Sequence, residues 1–175
     1  SMSLLVISYP EVSESDFNWI QNYRREHDSI YYPIVNPHFT VVFPAFGISE
    51  KDFIQEIEWQ CNEMKSISFE IKCAVVNKDS FSDVYYEILV PDKGFSDIIK
   101  LHDRLYSGKL FSDLRLDINF IPHITIGNSQ DPMVCKKRVD ELNKSDLSFN
   151  GKIKTLDVVK YENESVTTLR VIKLL

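Results

Sequence analysis

The spacing of apolar residues changes period several times along the chain, and each change marks an element. Leu4 to Ser8 is a short apolar run ended by Pro10, which predicts a first strand. From about Ser15 to His27, Phe17, Ile20 and Tyr23 fall on one side of a helix. His27 lies in its last turn, where the helix dipole favours a cation, and reads as a solvated helix end. Tyr31-Tyr32-Pro33 leads irregularly into an extended stretch, Pro37-His38-Phe39-Thr40-Val41, which Phe43-Pro44 closes. Ser49 with Asp52 resembles a capping box, and Phe53, Ile57, Cys61 and Met64 form the stripe of the helix it opens. Ile67, Phe69, Ile71, Cys73 and Val75 alternate with mostly polar neighbours, as a strand with one buried face does. Val84, Tyr86, Ile88 and Val90 repeat that pattern, so the two are expected to pair as a hairpin.

Phe95, Ile98, Ile99, His102, Leu105 and Tyr106 mark a second amphipathic helix, ended by Ser107-Gly108. His102 sits on its apolar face and reads as a packed core or boundary residue rather than a catalytic one. Leu114, Leu116, Ile118 and Phe120 alternate, implying an extended approach to Pro122-His123-Ile124-Thr125-Ile126, with Arg115 on the solvent side. Asp131-Pro132 reads as an N-cap and first helical position, opening a helix to about Asn143 whose Lys136-Lys137-Arg138 run is a solvated face. Strands near Ile153 to Tyr161 and Val166 to Leu174 flank the polar turn Glu162-Asn163-Glu164-Ser165. Each half thus runs strand, helix, His-x-Thr strand, helix, strand, and the second half adds a closing strand. No Gly/Ser/Pro-rich linker separates the halves. The expected fold class is α+β and bilobal: two pseudo-twofold-related lobes of antiparallel sheet with flanking helices around a central cleft. The chain reads as a single domain over 1–175, with lobes near 1–80 and 81–175 by sequence halves and room for strands to be exchanged between them.

The two extended stretches carry the candidate chemistry. In a strand, alternate side chains share a face, so His38 and Thr40 point one way while Phe39 and Val41 point the other. The same holds for His123 and Thr125 against Ile124 and Ile126. Each copy presents an imidazole and a hydroxyl on a strand anchored by its apolar side. The ring moves protons near neutral pH and the hydroxyl donates to an oxygen, a combination that suits a phosphate. A single His-x-Thr says little. The chain has only four histidines, and two of them in the same Pro-His-x-Thr context is not an accident of composition.

Composition narrows the rest. The chain has 175 residues, a formal net charge of -6 and 43% apolar residues, an ordinary globular balance. That charge speaks against gripping a long nucleic acid through its phosphates but leaves a small phosphorylated ligand open. No apolar run approaches the roughly 20 residues that span a bilayer, and the amino terminus lacks the features of a signal peptide. Ser1-Met2 reads as a cloning remnant before the natural start. Cys61, Cys73 and Cys135 are scattered, so neither a disulfide frame nor a cysteine zinc site is expected, and a reducing cytoplasm fits.

With those motifs in view, the chain resembles the two-histidine (2H) phosphoesterases, which include 2′-5′ RNA ligase-like proteins and cyclic phosphodiesterases. The resemblance rests on Pro37-His38-Phe39-Thr40-Val41 and Pro122-His123-Ile124-Thr125-Ile126, their separation of 85 residues and the closing strand pair. It implies a bilobal fold with a metal-independent, cofactor-free site in the cleft. By match of motif, acid–base roles fall on His38 and His123 and phosphate binding on Thr40 and Thr125. The implied substrate is a small nucleotide or short RNA-end phosphodiester, either a 2′,3′-cyclic phosphate or a 2′-5′ linkage, and a monomer is expected.

A pair of histidines gives a self-contained mechanism: one neutral imidazole activates water or a ribose hydroxyl, and the other, as imidazolium, protonates the departing oxygen. Which histidine does which stays open. Tyr31, Tyr32 and Phe120 are the nearest candidates for stacking on a base; packing at the strand ends is the plainer role for each. Other classes compete: a nucleotide-binding or regulatory module without turnover, a metal-dependent hydrolase built on the His pair, and an RNA ligase running phosphodiester cleavage in reverse. The metal reading lacks His-Glu-x-x-His and a carboxylate beside either motif.

Overall fold

Residues 2–175 are described by a computed structural model. The first half forms β1 (Met2–Ser8), β2 (Glu11–Val12), α1 (Glu14–His27), β3 (Phe39–Ala45), α2 (Glu50–Gln60) and β4 (Ile67–Lys78). The second forms β5 (Tyr85–Pro91), α3 (Phe95–Leu105), β6 (Ile124–Ser129), α4 (Pro132–Lys144), β7 (Phe149–Ile153), β8 (Thr155–Glu162) and β9 (Ser165–Lys173). Local chemistry sets the helix starts. The Ser13 and Ser49 hydroxyls accept from the backbone N–H of Asp16 and Asp52, each at 3.1 Å, and Asp131 accepts from Met133 N–H at 2.9 Å ahead of Pro132. Ser13 is therefore the first cap, and the helix starts at Glu14, one residue before the expected Ser15. The second helix ends at Gln60, short of the expected Met64, and Glu63 turns the chain with φ 64°.

The strands build two antiparallel sheets, ordered β3-β1-β8-β9 and β2-β7-β4-β5-β6. The expected α+β, two-lobed architecture is present, and each sheet draws strands from both halves of the sequence. The chain changes sheet around Lys154: β7 ends in the five-stranded sheet at Ile153 and β8 starts in the four-stranded one at Thr155. The stretch read as one strand from Ile153 is thus preceded by a separate strand. Gly151 suits that strand because a Cβ there would meet the Phe69 ring at 2.5 Å and the Glu11 carbonyl at 2.7 Å. The pseudo-twofold pattern matches β3-β1-β8 with β6-β5-β4, and both motif strands lie on sheet edges. Pro44 does not close β3, which continues to Ala45; on an edge a missing N–H is tolerated.

Three expectations about faces and extension change. β4 and β5 do pair as a hairpin, but β4 shifts register between Ile71 and Cys73, so Ala74 turns inward and Val75 is exposed. In β5, Ile88 is buried as expected, but Glu87, Leu89 and Pro91 on the other face are buried too, while Val84, Tyr86 and Val90 are only partly buried. A glutamate on the core side is what hid this from the apolar pattern. Leu114 to Phe120 is not a strand: after a 3-10 turn at Phe111–Asp113 it runs irregularly, leaving Leu116 exposed and Phe120 packed on His102.

One large apolar cluster joins the sheets and helices. Phe39, Val41, Ile124 and Ile126 are all in it, and the Phe39 ring meets Phe69 of the other sheet edge-on at 5.1 Å. Phe39→Ala should cost about 3–5 kcal/mol in urea denaturation, because the ring is fully buried at a junction between sheets. His38→Ala should cost much less. Equal losses would place His38 in the core.

Candidate active site

The two motif strands share an irregularity at the same place. In β3, Thr40 faces Ile7 of β1 while Val42 faces Val6, so Val41 is an extra residue. In β6, Thr125 faces Ile88 of β5 while Gly127 faces Glu87, so Ile126 is extra. Each is a β-bulge directly after the motif threonine, and both residues that follow each threonine are buried. A bulge increases local twist and re-aims side chains. Here it lets one strand present His and Thr on the open face and then send two successive residues into the core.

The imidazoles are oriented by their own chain. His38 Nδ1 lies 2.8 Å from the Asn36 carbonyl and His123 Nδ1 lies 2.6 Å from the Ile121 carbonyl. A carbonyl only accepts, so Nδ1 carries the hydrogen in both rings and Nε2 is the nitrogen left for chemistry. The intervening prolines, Pro37 and Pro122, have fixed φ and bias the preceding residue to extended conformation, which sets where that carbonyl points. The Pro-His-x-Thr pattern therefore encodes both the strand face and the tautomer.

Electrostatics favour neutral rings. Burial pushes the His38 pKa down to about 4, with the positive charges of Arg24 and His123 adding to the effect and the Asn36 carbonyl opposing it. Burial also lowers His123, against the Ile121 carbonyl. His38, Thr40, His123 and Thr125 all remain partly accessible.

The aromatic candidates separate. Tyr31 sits on the connection between α1 and β3, with its ring 5.9 Å from that of Tyr86 and the two hydroxyls 3.5 Å apart. Tyr86 lies two residues along β5 from Ile88, the neighbour of Thr125. Tyr32 covers the Arg24 guanidinium at 5.7 Å. Phe120 stacks on His102 at 3.8 Å, with Phe43 edge-on at 6.1 Å, so its ring is engaged in packing. His102 is buried, as its place on the apolar face implied. His27 differs from a solvated helix end: its ring tilts against Tyr23 at 4.5 Å and is partly buried. Arg115 pairs with Asp117 at 2.9 Å and lies over Phe81 at 5.6 Å.

Several residues near the site carried no sequence signal. Tyr9 approaches His38 edge-on at 6.4 Å. Asp157 pairs with Ile7, beside Thr40, and accepts from Thr168 at 2.7 Å. Asp28 accepts from Tyr31 N–H and from Asn128 Nδ2, both at 2.9 Å, and so ties the end of α1 to the second motif strand. The register symmetry of Thr40-Ile7-Asp157 with Thr125-Ile88-Val75 could expose Asp157 only once the pairing is known.

Two α+β lobes with one His-x-Thr edge strand each define the two-histidine phosphoesterase class. The chain belongs to the 2′-5′ RNA ligase superfamily, whose family model matches residues 12–165. It is 26% identical over 124 residues to a predicted phosphoesterase of Bacillus licheniformis, covering 69% of this chain and 68% of that protein. LigT of Escherichia coli matches with a TM-score of 0.57 at 15% identity, over 99% of this chain and 98% of that one. Usb1 of Kluyveromyces marxianus matches at 0.57 and 12%, over 98% of each chain. A Thermus thermophilus protein matches at 0.63 and 11%, over 98% and 97%. At such identities the structural likeness is one of fold. Family and relative together make this chain a phosphodiester-processing enzyme of the two-histidine kind. No helix among the described residues is long and apolar enough to cross a membrane.

The depressed imidazoles have a consequence for acid stability. Below pH 6.5, the ordinary value for these groups, the unfolded chain takes up protons that the folded cleft resists. Stability is therefore full above about pH 6.5 and should fall as pH drops toward 4, where His38 itself titrates. His38→Gln should flatten that limb in urea denaturation followed from pH 7 to 4. An unchanged slope would mean that His38 has an ordinary pKa.

Proposed function

We propose that this chain is a metal-independent phosphodiesterase acting on a small nucleotide or short RNA end, at a 2′,3′-cyclic phosphate or a 2′-5′ linkage. His38 and His123 supply general acid–base catalysis, and Thr40 and Thr125 bind the phosphate. One observation carries this reading: two imidazoles at the starts of the edge strands of the two sheets, each with Nδ1 donating to a carbonyl, which leaves Nε2 for chemistry, and each followed two residues on by a threonine. Ligands bound by neighbours of the same fold support the substrate class. LigT structures contain 3′-AMP, NADP+ and ATP, and a Usb1 structure contains uridine monophosphate.

In the reaction, one Nε2 takes a proton from water as its oxygen bonds to phosphorus. The other imidazolium gives its Nε2 proton to the leaving ribose oxygen as that P–O bond breaks. The threonine hydroxyls donate to the nonbridging oxygens, where charge grows. In the free protein both rings favour the neutral form near pH 7. A bound phosphate anion reverses this for the acid, since a nearby negative charge stabilises the imidazolium. In this reading, proton transfer and fixed donors do the work that a Lewis acid would do.

A screen against cyclic-phosphate RNA ends, 2′-5′ oligonucleotides, ADP-ribose cyclic phosphate and 3′-end exonuclease substrates, with products resolved as 2′- or 3′-phosphates, tests the assignment. On the substrate turned over, kcat/KM should be bell-shaped with both limbs below pH 6.5, because both free-enzyme pKa values are lowered. The kcat profile should lie at higher pH, reflecting the phosphate in the complex. Either His→Ala should lower kcat/KM about 100- to 10,000-fold, with the double variant little worse. Each Thr→Ala should lose about 100-fold. EDTA should change nothing. Loss on chelation, restored by a divalent ion, would replace this mechanism with a metal-dependent one, and nucleotide binding without turnover would make the chain a binding module.

A further inference from the structure

Arg24 is the largest fully buried side chain in the protein, and no step of the reaction uses it. It lies in the last turn of α1 with its guanidinium directed at the connection that precedes β3. Nη2 donates to the Val35 carbonyl at 2.6 Å and Nη1 to Gln21 Oε1 at 2.6 Å. Gln21 in turn donates from Nε2 to Asn36 Oδ1 at 3.4 Å. Two α1 side chains thus hold consecutive residues, Val35 and Asn36, and Asn36 is the residue whose carbonyl fixes the His38 ring.

This arrangement is costly for mere packing. Arg24 and Asp28 are both buried, yet Nε and Oδ2 stand 3.7 Å apart and neither has a hydrogen-bond partner. An apolar residue of similar volume usually packs such a site at lower cost. The other motif has no such hold. His123 is fixed by the Ile121 carbonyl in the connection after α3, but the polar side chains near the end of α3 turn elsewhere, His102 to Asp103 and Arg104 to Gln60.

We infer that Arg24 is a positioning residue for His38: by holding Val35 and, through Gln21, Asn36, it fixes the carbonyl that accepts from His38 Nδ1 and so aims Nε2 into the cleft. The residue acts through the backbone and touches no reacting atom. Its charge works in the same direction. The groups around His38 are Arg24 from α1, Tyr9 after β1 and His123 just before β6, with Asp28 beside Arg24 and Asp157 of β8 acting on Tyr9. Burial does most to keep the ring neutral, and Arg24 adds to it. The effect on catalysis rests on the two-histidine mechanism above; the positioning of the ring does not.

The test uses Arg24→Met, Arg24→Lys and Gln21→Ala in the full chain. In ¹⁵N histidine spectra of the wild type at neutral pH, His38 should be the Nδ1–H tautomer. Arg24→Met should give a tautomer mixture at His38 while His123 is unchanged. On a substrate the wild type turns over, kcat should fall about 100-fold, the usual cost of misplacing a reacting group by about 1 Å, with KM within about threefold. Arg24→Lys keeps the charge and loses the fork, so it should lose kcat without moving the acid limb, whereas Arg24→Met should move that limb to higher pH. Gln21→Ala, at a partly exposed position, should give a smaller effect of the same sign and covers the case in which Arg24→Met does not fold. Retention of a pure Nδ1–H tautomer and unchanged kcat in the folded variants would overturn the proposal. The tautomer reading needs no turnover, so it stands or falls separately from the proposed reaction.

Discussion

An edge strand has one row of backbone groups without a neighbouring strand, and both motifs lie on such edges, β3 in one sheet and β6 in the other. The histidine geometry depends on that placement. Each ring is held by a carbonyl two residues upstream, Asn36 or Ile121, just before the strand begins. Inside a ladder that carbonyl would be taken by another strand. The prolines between carbonyl and ring add the second condition, because they remove an N–H and fix the approach angle. A sheet edge is ordinarily a place for unwanted pairing. Here the bulges at Val41 and Ile126 twist both edges, and that twist opposes a flat strand adding on.

Strand exchange makes the cleft stiff. β4 belongs to the first half of the chain but pairs with β5, while β8 and β9 belong to the second half and complete the sheet of β1. Neither lobe can leave the other without breaking a ladder. The core agrees: Phe39, behind the first motif, packs on Phe69 of the opposite sheet. Precise placement of two proton carriers is worth orders of magnitude in rate, and a fold that shares strands between lobes supplies it without a disulfide, since Cys61, Cys73 and Cys135 are all free.

Helix stripes, caps and the His-x-Thr alternation were legible because each is a local pattern read at a fixed period. What escaped reading depends on partners distant in sequence. In β5 the burial of the second face escaped reading because Glu87 lies on it, where the Tyr23 hydroxyl donates to the carboxylate and Arg138 pairs with it at 2.9 Å. The flip in β4 follows from a register shift after Ile71, which no local alternation reports. Leu114 to Phe120 alternates without any strand to pair with, since β6 takes β5 as its neighbour. Nothing local marks Arg24 and Asp28 at the end of a helix, and only the fold buries them.

The symmetry of the two motifs is broken behind the strands, and α1 is where the break is concentrated. Consecutive residues of a helix point about 100° apart, so Tyr23 and Arg24 reach different parts of the structure. Tyr23 donates to Glu87 beneath the strand pair that carries His123, with Arg138 of α4 on the other carboxylate oxygen. Gly127 leaves room for that carboxylate, since a Cβ there would come within 2.8 Å of it. Arg24 holds the connection that orients His38. The matching position to Glu87 in the other sheet is Val6, so the polar contact exists on one side only. One helix thus reaches the connection before His38 and the strand pair of β5 and β6 through two different contacts. A pseudo-twofold scaffold supplies two similar imidazoles; unequal contacts along one helix make their surroundings unequal.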